Sequence, residues 1–358
     1  MPDSSYISSS KAEEPGLGKA GSAKSALCAA AFLALSILSA IGLGLLYEGV
    51  AAKNKVNAWS KQRFEDFYNL EDELDMIFIG SSHSYCTFAP EIISGLMGIS
   101  SFQLGMPLQH PDSTYFTLLE ALSFQSPSAV VMEVYWDVLD EDFEVKQADA
   151  LFQVIRNDSL KERYIREVFP WNEKIKYNIA AIRFQQDFLA YANSKVKTAA
   201  ERALEISNNV EAQAGEERYA YRGFMYCDYQ MLESEYGPTN QFAGFDGKNW
   251  TFSKVQKQYL SRIAELCEDR GIELFFVTAP VAPVSMDFIS NYDAVHDAVS
   301  AFAKSKGIPY LDFNIANAME SLFDNSNFRD DAHLNYSGAE IACEYFSRWM
   351  EARPSAST

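Results

Sequence analysis

Apolar positions fall along the chain in two regimes. From Ser25 to Tyr47 about 23 residues pass without a charge. As a helix rising ~1.5 Å per residue, such a run spans roughly 35 Å, enough for a ~30 Å hydrocarbon core. The pattern predicts a transmembrane helix over 25–47, with a cleaved signal sequence ending near Leu38-Ser39-Ala40 as the rival reading. Residues 1–24, rich in Ser, Gly, Lys and Glu, read as a disordered tail. Residues 48–73 read as a polar stalk, helical or extended, and 351–358 as a second short tail. Lys11, Lys19 and Lys24 precede the span while Lys53, Lys55, Lys61 and Arg63 follow it, so charge does not choose its orientation.

From residue 74 onward short apolar runs alternate with helix-spaced ones. Asp75–Ile79, Ser100–Leu104, Ala129–Val134, Ile272–Thr278 and Ile308–Phe313 read as strands. Between them Thr114–Leu122 carries helical spacing. Ser253 with Gln256 forms a capping-box pattern ahead of the face Val255, Tyr259, Leu260, Ile263 and Cys267, which ends at Gly271. Val295, Val299 and Phe302 repeat the spacing before Gly307, and Ala342, Tyr345, Phe346 and Trp349 give a last helix, which Ser337 and Glu340 would cap. Strands that are apolar throughout and alternate with helices predict a parallel sheet covered on both faces. The expectation is a flavodoxin-like three-layer α/β/α sandwich of about five parallel strands over 74–350, preceded by the transmembrane helix. A helical insertion over about 140–250 interrupts the alternation, and it reads either as decoration or as a lid.

Composition narrows the picture. With 358 residues, 48% apolar, the chain can bury a sizeable core, and a net charge of −19 excludes nucleic acid, whose phosphates need a basic surface. Cys28, Cys86, Cys227, Cys267 and Cys343 follow no metal-ligand or disulfide spacing, so neither a metal site nor a cofactor is expected.

Chemistry concentrates at the ends of the domain. In Gly80-Ser81-Ser82-His83 a serine follows the first strand, where open α/β sheets place their sites and where the serine's own amide can face an oxyanion. In Asp330-Asp331-Ala332-His333 an aspartate three residues before a histidine can hold Nδ1 and leave Nε2 as a base. Asp331 is the second candidate for that partner.

These two blocks resemble the first and last signatures of the SGNH (GDSL-like) hydrolases, over about residues 74–135 and 252–350. The membrane-anchored members that modify bacterial envelope polymers, such as the D-alanyl transfer protein and the alginate acetylation proteins, are similar in plan. The resemblance implies Ser82 as nucleophile, His333 as general base and Asp330 as its partner, with the Ser82 and Gly105 amides forming the oxyanion hole. It further implies a serine esterase or O-acyltransferase outside the membrane of a bacterium. Its substrate would be an acylated envelope glycan or polymer, and a multi-spanning membrane acyltransferase and the membrane lipid around the helix would be its partners. A non-catalytic accessory protein on the same fold is the alternative.

Two departures stand out. Ser81 replaces the usual aspartate, and Met132-Glu133-Val134-Tyr135-Trp136-Asp137 holds no asparagine where the family's third block supplies an oxyanion donor. His83, Tyr135 and Arg222 are the candidates for contacting substrate, with a stacked surface pair the rival account of Arg222. Glu133 reads as an acid or as a buried hydrogen-bonded carboxylate, His110 as a loop residue and His296 as a surface one.

Overall fold

A computed structural model describes residues 19–51, 58–185, 188–189, 217–237 and 239–353. The expected tail over 1–18, residues 52–57 of the expected stalk, the polar stretch 190–216 of the insertion and residues 354–358 lie outside the described residues. Two compact units are present, 1–54 with 175–196 and 55–174 with 197–358.

The first unit carries the helix Lys19–Ala51. Its segment Lys24–Val50, mean hydropathy 2.3, is long and apolar enough to cross a membrane, and a signal sequence would share that composition. Within this unit Tyr47 stacks on Phe188 with ring centroids 4.5 Å apart. A Cβ on Gly44 would sit 3.0 Å from that of Ala180, so the small residue allows close approach. The apolar stripe of the insertion at Ile175, Ile179 and Ile182 therefore groups with the apolar helix rather than with the core of the sheet.

The second unit is built on a parallel sheet. Its strands are β1 (Met76–Ile79), β2 (Ser101–Gln103), β3 (Ala129–Glu133), β6 (Glu273–Thr278) and β7 (Tyr310–Asp312), in the order β2-β1-β3-β6-β7. A small antiparallel hairpin, β4 (Arg218–Tyr219) with β5 (Met225–Tyr226), lies between β3 and β6 in sequence. Register sorts the faces. Phe78 aligns with Val131 and Val131 with Phe275. These residues pack with Phe88, Ile93 and Phe346 of the helices Pro90–Met97 and Tyr336–Glu351 and the turns before them. The alternate positions Ile77, Val130 and Phe276 are equally buried on the other face, where Phe276 stacks on Phe302 of the helix Tyr292–Ser305. The helices Pro111–Ala121 and Lys254–Arg270 share that side. Each such buried side chain contributes about 1.5–3 kcal/mol. This is the expected three-layer α/β/α architecture.

The order places a topological switch point between β1 and β3, because the chain leaves β1 for one edge and then returns to its other side. Ligands of open α/β sheets bind in the crevice beyond the strand ends at such a point.

Local differences from the sequence reading have physical causes. Residues 58–68, read as part of a stalk, form a helix that buries Phe64, Phe67 and the whole of Arg63 in the domain. The final helix is capped by Asn335, whose side chain accepts from Gly338 N, and not by Ser337. Asn335 prevails because its amide also donates to Tyr229 O and Ser326 O, bonds a serine hydroxyl could not all make. The insertion helices Val145–Val154 and Asp158–Val168 pack beside Pro111–Ala121, with Tyr164 against Phe116 and bonded to Ser113.

Candidate active site

Beyond β1 the chain must turn sharply beside β3. Gly80 does so at φ 135°, and a Cβ there would meet Glu133 Cβ at 2.8 Å, so no other residue fits without displacement. Ser81 follows as the N-cap of the short helix Ser82–Thr87, its hydroxyl accepting from His83 N. The same hydroxyl and the Ser81 amide both donate to Glu133 Oε2, at 2.7 and 2.9 Å. Ser81 is thus turned inward and occupied. Ser82 is the half-buried serine that faces His333.

The opposing loop is closed by a bridge between Phe328 and Leu334 and by Arg329 N donating to His333 O. Asp330 Oδ1 accepts from the amides of Ala332 and His333 at 2.9 and 2.8 Å, and both its oxygens lie 3.0 Å from His333 Nδ1. His333 Nε2 lies 2.8 Å from Ser82 Oγ. With the Nδ1 proton directed at Asp330, Nε2 is left to accept from the serine. Burial alone would raise the Asp330 carboxyl, but the bond to His333, the Ala332 amide and the Arg329 charge together hold it well below the usual carboxylate range. Arg329 reaches Glu217 at 2.9 Å and Asp330 at 3.8 Å. Asp331 is directed elsewhere: its carboxylate accepts from Gln241 N, and its carbonyl from Ala282 N and Ser285 Oγ.

Gly105 is placed otherwise than expected. Leu104 N and Met106 N donate to Phe78 O and Gly80 O, continuing the parallel pairing beyond β2. The intervening Gly105 amide therefore points away from β1 and donates to Gln103 Oε1 at 2.7 Å. Gln103 is itself buried and fixed by Ser84. The Gly105 carbonyl accepts from Arg63 Nη1 at 2.7 Å, while Arg63 Nε donates to Gly223 O. Of the two expected oxyanion amides, only that of Ser82 belongs to the first turn of a helix with no internal partner to satisfy it.

The other candidates separate. His83 is buried between Tyr135, with ring centroids 4.0 Å apart, and His333, at 4.6 Å. Burial, and then the nearby His333, push its pKa well below the ordinary imidazole value. Tyr135 joins Phe242, Phe245 and Asp137 in lining a groove of about 260 Å³. Arg222 is far from this cleft in the fold: it bonds Asp72, Ser100 Oγ and Ser101 O at the start of β2, the opposite end of the sheet from Ser82. The expectation that it contacts substrate is corrected accordingly. Asp72 is the carboxylate that draws it there. Glu133 is fully enclosed, and burial raises its carboxyl to about 7 against the lowering effect of the two Ser81 bonds. His110 is buried near Gln256 and Glu141 and is pushed down to about 4 by burial.

Arg63, Gln103 and Arg329 were not singled out by sequence reasoning. Arg63 falls in the polar stretch read as a stalk and Gln103 inside an apolar strand, whereas Arg329 adjoins the Asp330 block and could have been suspected as a neighbouring charge.

A protein-family model matches residues 45–354, including both blocks of the site. No curated protein matches this chain in sequence. Among solved structures, a G-D-S-L family protein described as lipolytic, from Desulfitobacterium hafniense, aligns at 12% identity and TM-score 0.36, over 76% of this chain and 97% of its own. A GDSL-like lipase from Bacteroides thetaiotaomicron aligns at 11% and 0.36, over 82% and 97%. An acetyl xylan esterase aligns at 11% and 0.36, over 78% and 99%. Likenesses this distant carry no argument, and the functional reading is taken from the geometry of the site itself.

Proposed function

We propose that this chain is a membrane-anchored serine esterase or O-acyltransferase of the SGNH (GDSL-like) type, which works through an acyl-enzyme on Ser82. The observation that carries the reading is the continuous chain of contacts from Ser82 Oγ to His333 Nε2 and from His333 Nδ1 to Asp330. His333 takes the hydroxyl proton as Ser82 Oγ bonds the ester carbonyl carbon. The tetrahedral oxyanion faces the Ser82 amide. Collapse breaks the carbon–oxygen bond to the leaving alkoxide, which receives the proton from His333. Water or an acceptor hydroxyl then gives its proton to His333 as it attacks the acyl carbon, and the bond to Ser82 Oγ breaks as that oxygen takes the proton back from His333. Asp330 stays ionised and keeps the ring oriented.

An apolar helix ahead of the domain suits an acylated glycan or polymer of the cell envelope held near the membrane, with the domain on the extracytoplasmic side. A multi-spanning membrane acyltransferase would be a fitting partner for the transfer reaction. Free access of water to Ser82 favours hydrolysis, and its exclusion favours transfer.

The second reading is a non-catalytic accessory protein that binds the polymer or the acyltransferase. The Gly105 amide favours it, being occupied by Gln103 where the resembled SGNH family uses that group, since losing one oxyanion donor typically costs ~10²- to 10³-fold in rate. Labelling of the full-length protein with a fluorophosphonate probe decides. Labelling of the native chain and not of Ser82→Ala supports the esterase. Equal labelling of both overturns Ser82 as nucleophile, and a folded native chain that neither labels nor hydrolyses simple esters favours the accessory reading.

A further inference from the structure

The His333 ring is held at two points on its edge, by Asp330 at Nδ1 and by Ser82 at Nε2. Two edge contacts leave one freedom. A planar ring can still tilt about the line joining those two nitrogens, and a tilt turns the Nε2 lone pair, which lies in the ring plane, away from the serine hydroxyl. Something has to press on the face of the ring.

His83 does so. Its ring lies 4.6 Å from that of His333 at an interplanar angle of 26°, and its other face lies 4.0 Å from Tyr135 at 32°. The three rings form a continuous stack with His83, the residue after the nucleophile, buried in the middle. His83 Nδ1 has no hydrogen-bond partner and is covered, so this side chain presents its faces and not that nitrogen to its surroundings. Tyr135 is fixed behind it by Trp136, whose carbonyl accepts from Trp250 Nε1.

We infer that His83 is a positioning residue, which holds the His333 ring in line with Ser82 through the stacked Tyr135–His83–His333 faces rather than through a hydrogen bond. The inference rests on the serine-esterase reading for its catalytic meaning, but its physical content is the order of one ring.

Charge supports the geometry. The ionisable groups beside His83 are His333, Asp330 and Arg329 from the loop and Tyr135 from beyond β3, with Glu217 paired to Arg329. Burial keeps His83 neutral among them. A neutral aromatic face accepts a cationic neighbour, whereas a second imidazolium would repel it. His83 can therefore remain stacked when His333 takes the serine proton.

The test compares His83→Phe, which keeps an aromatic face and discards both nitrogens, with His83→Leu, which keeps apolar bulk and discards the face. Full-length protein with isotopically labelled histidine is studied in detergent, and the four histidines allow His333 to be assigned by its own substitution. The expected result is one sharp set of His333 ring signals in the native chain and in His83→Phe, and broadened or multiple signals in His83→Leu. In probe labelling, His83→Phe stays within about threefold of native, and His83→Leu loses about tenfold in the maximal rate with the half-saturating probe concentration unchanged. His333 signals in His83→Leu that match the native chain overturn the inference. So does equal impairment of both variants, which would assign the role to a ring nitrogen. Failure of the native chain to label sinks the esterase reading instead, and the ring signals still decide the role of His83.

Discussion

His333 Nε2 stands 2.8 Å from Ser82 Oγ across 251 positions of sequence, and the same ring meets Asp330 only three residues away. Groups linked in this way act as a unit. On a small activated ester such as p-nitrophenyl acetate, Ser82→Ala and His333→Ala are each expected to lower kcat by about 10⁴-fold or more, and the double variant to lower it no further. Additive losses would show that the two do not share one step.

Asp330 and Asp331 provide an internal control. Asp330 is bonded to His333, and Asp331 to Gln241. Asp330→Asn should cost about 10³- to 10⁴-fold in kcat by favouring the wrong ring tautomer, while Asp331→Asn stays within a few-fold. The reverse ranking in the same ester assay would move the orienting role to Asp331.

Glu133 makes stability depend on pH. Its carboxyl is raised by burial from an ordinary 4.5 to about 7, so the folded chain binds the proton more tightly than the unfolded one. Protonation then favours the fold. The contribution is complete below pH 4.5 and is withdrawn as pH rises through about 7, by roughly 3 kcal/mol in all. Urea unfolding at pH 5 and pH 8 should show this loss in the native chain and its absence in Glu133→Gln. Asp112, raised to about 6, titrates in both proteins and cancels in the difference.

The strands and the two chemical blocks were legible in the sequence because both are local. Phe78 and Val131 are buried in a parallel sheet and so belong to unbroken apolar runs, and the aspartate–histidine spacing survives folding as one tight loop. What could not be read depends on pairing register and on distant partners. Gly105 follows β2 as expected, but the direction of its amide is set by the bonds of Leu104 and Met106 to β1. Arg222 looks like a substrate-facing cation until Asp72, 150 residues away, is known to hold it. The sequence leaves Glu133 between acid and buried partner, and the inward turn of Ser81 toward it supplies the partner.

Arg63 is buried with its guanidinium on two backbone carbonyls, Gly105 O and Gly223 O, and over the ring of Tyr85. Arg63→Met would leave those carbonyls without a donor, and hydrogen bonds to a charged group are worth about 1.5–3 kcal/mol each. A loss of about 3 kcal/mol or more in urea unfolding is expected. Gly223→Ala should be comparably damaging, because φ is 92° and a Cβ would meet Gln103 O at 2.0 Å. Near-native stability in both variants would show that this junction is not structurally required.

His296 offers a titration of opposite origin to that of Glu133. Its Nδ1 lies 2.8 Å from Asp312, a buried carboxylate that also receives Tyr292 and Tyr310 and caps the helix Phe313–Glu320. The bond to Asp312 raises the imidazole above its ordinary 6.5, with burial opposing. A raised pKa means that the folded state favours the charged ring. The stabilisation is therefore complete below about pH 6.5 and disappears as pH rises through the higher folded value. His296→Gln should be less stable than the native chain at pH 5.5, and the gap should narrow toward pH 9, as followed by thermal unfolding. Solvent access to the ring keeps the effect modest, so the sign of the trend is the decisive readout. A gap that widened with rising pH would mean that His296 acts as a neutral hydrogen-bond partner of Asp312.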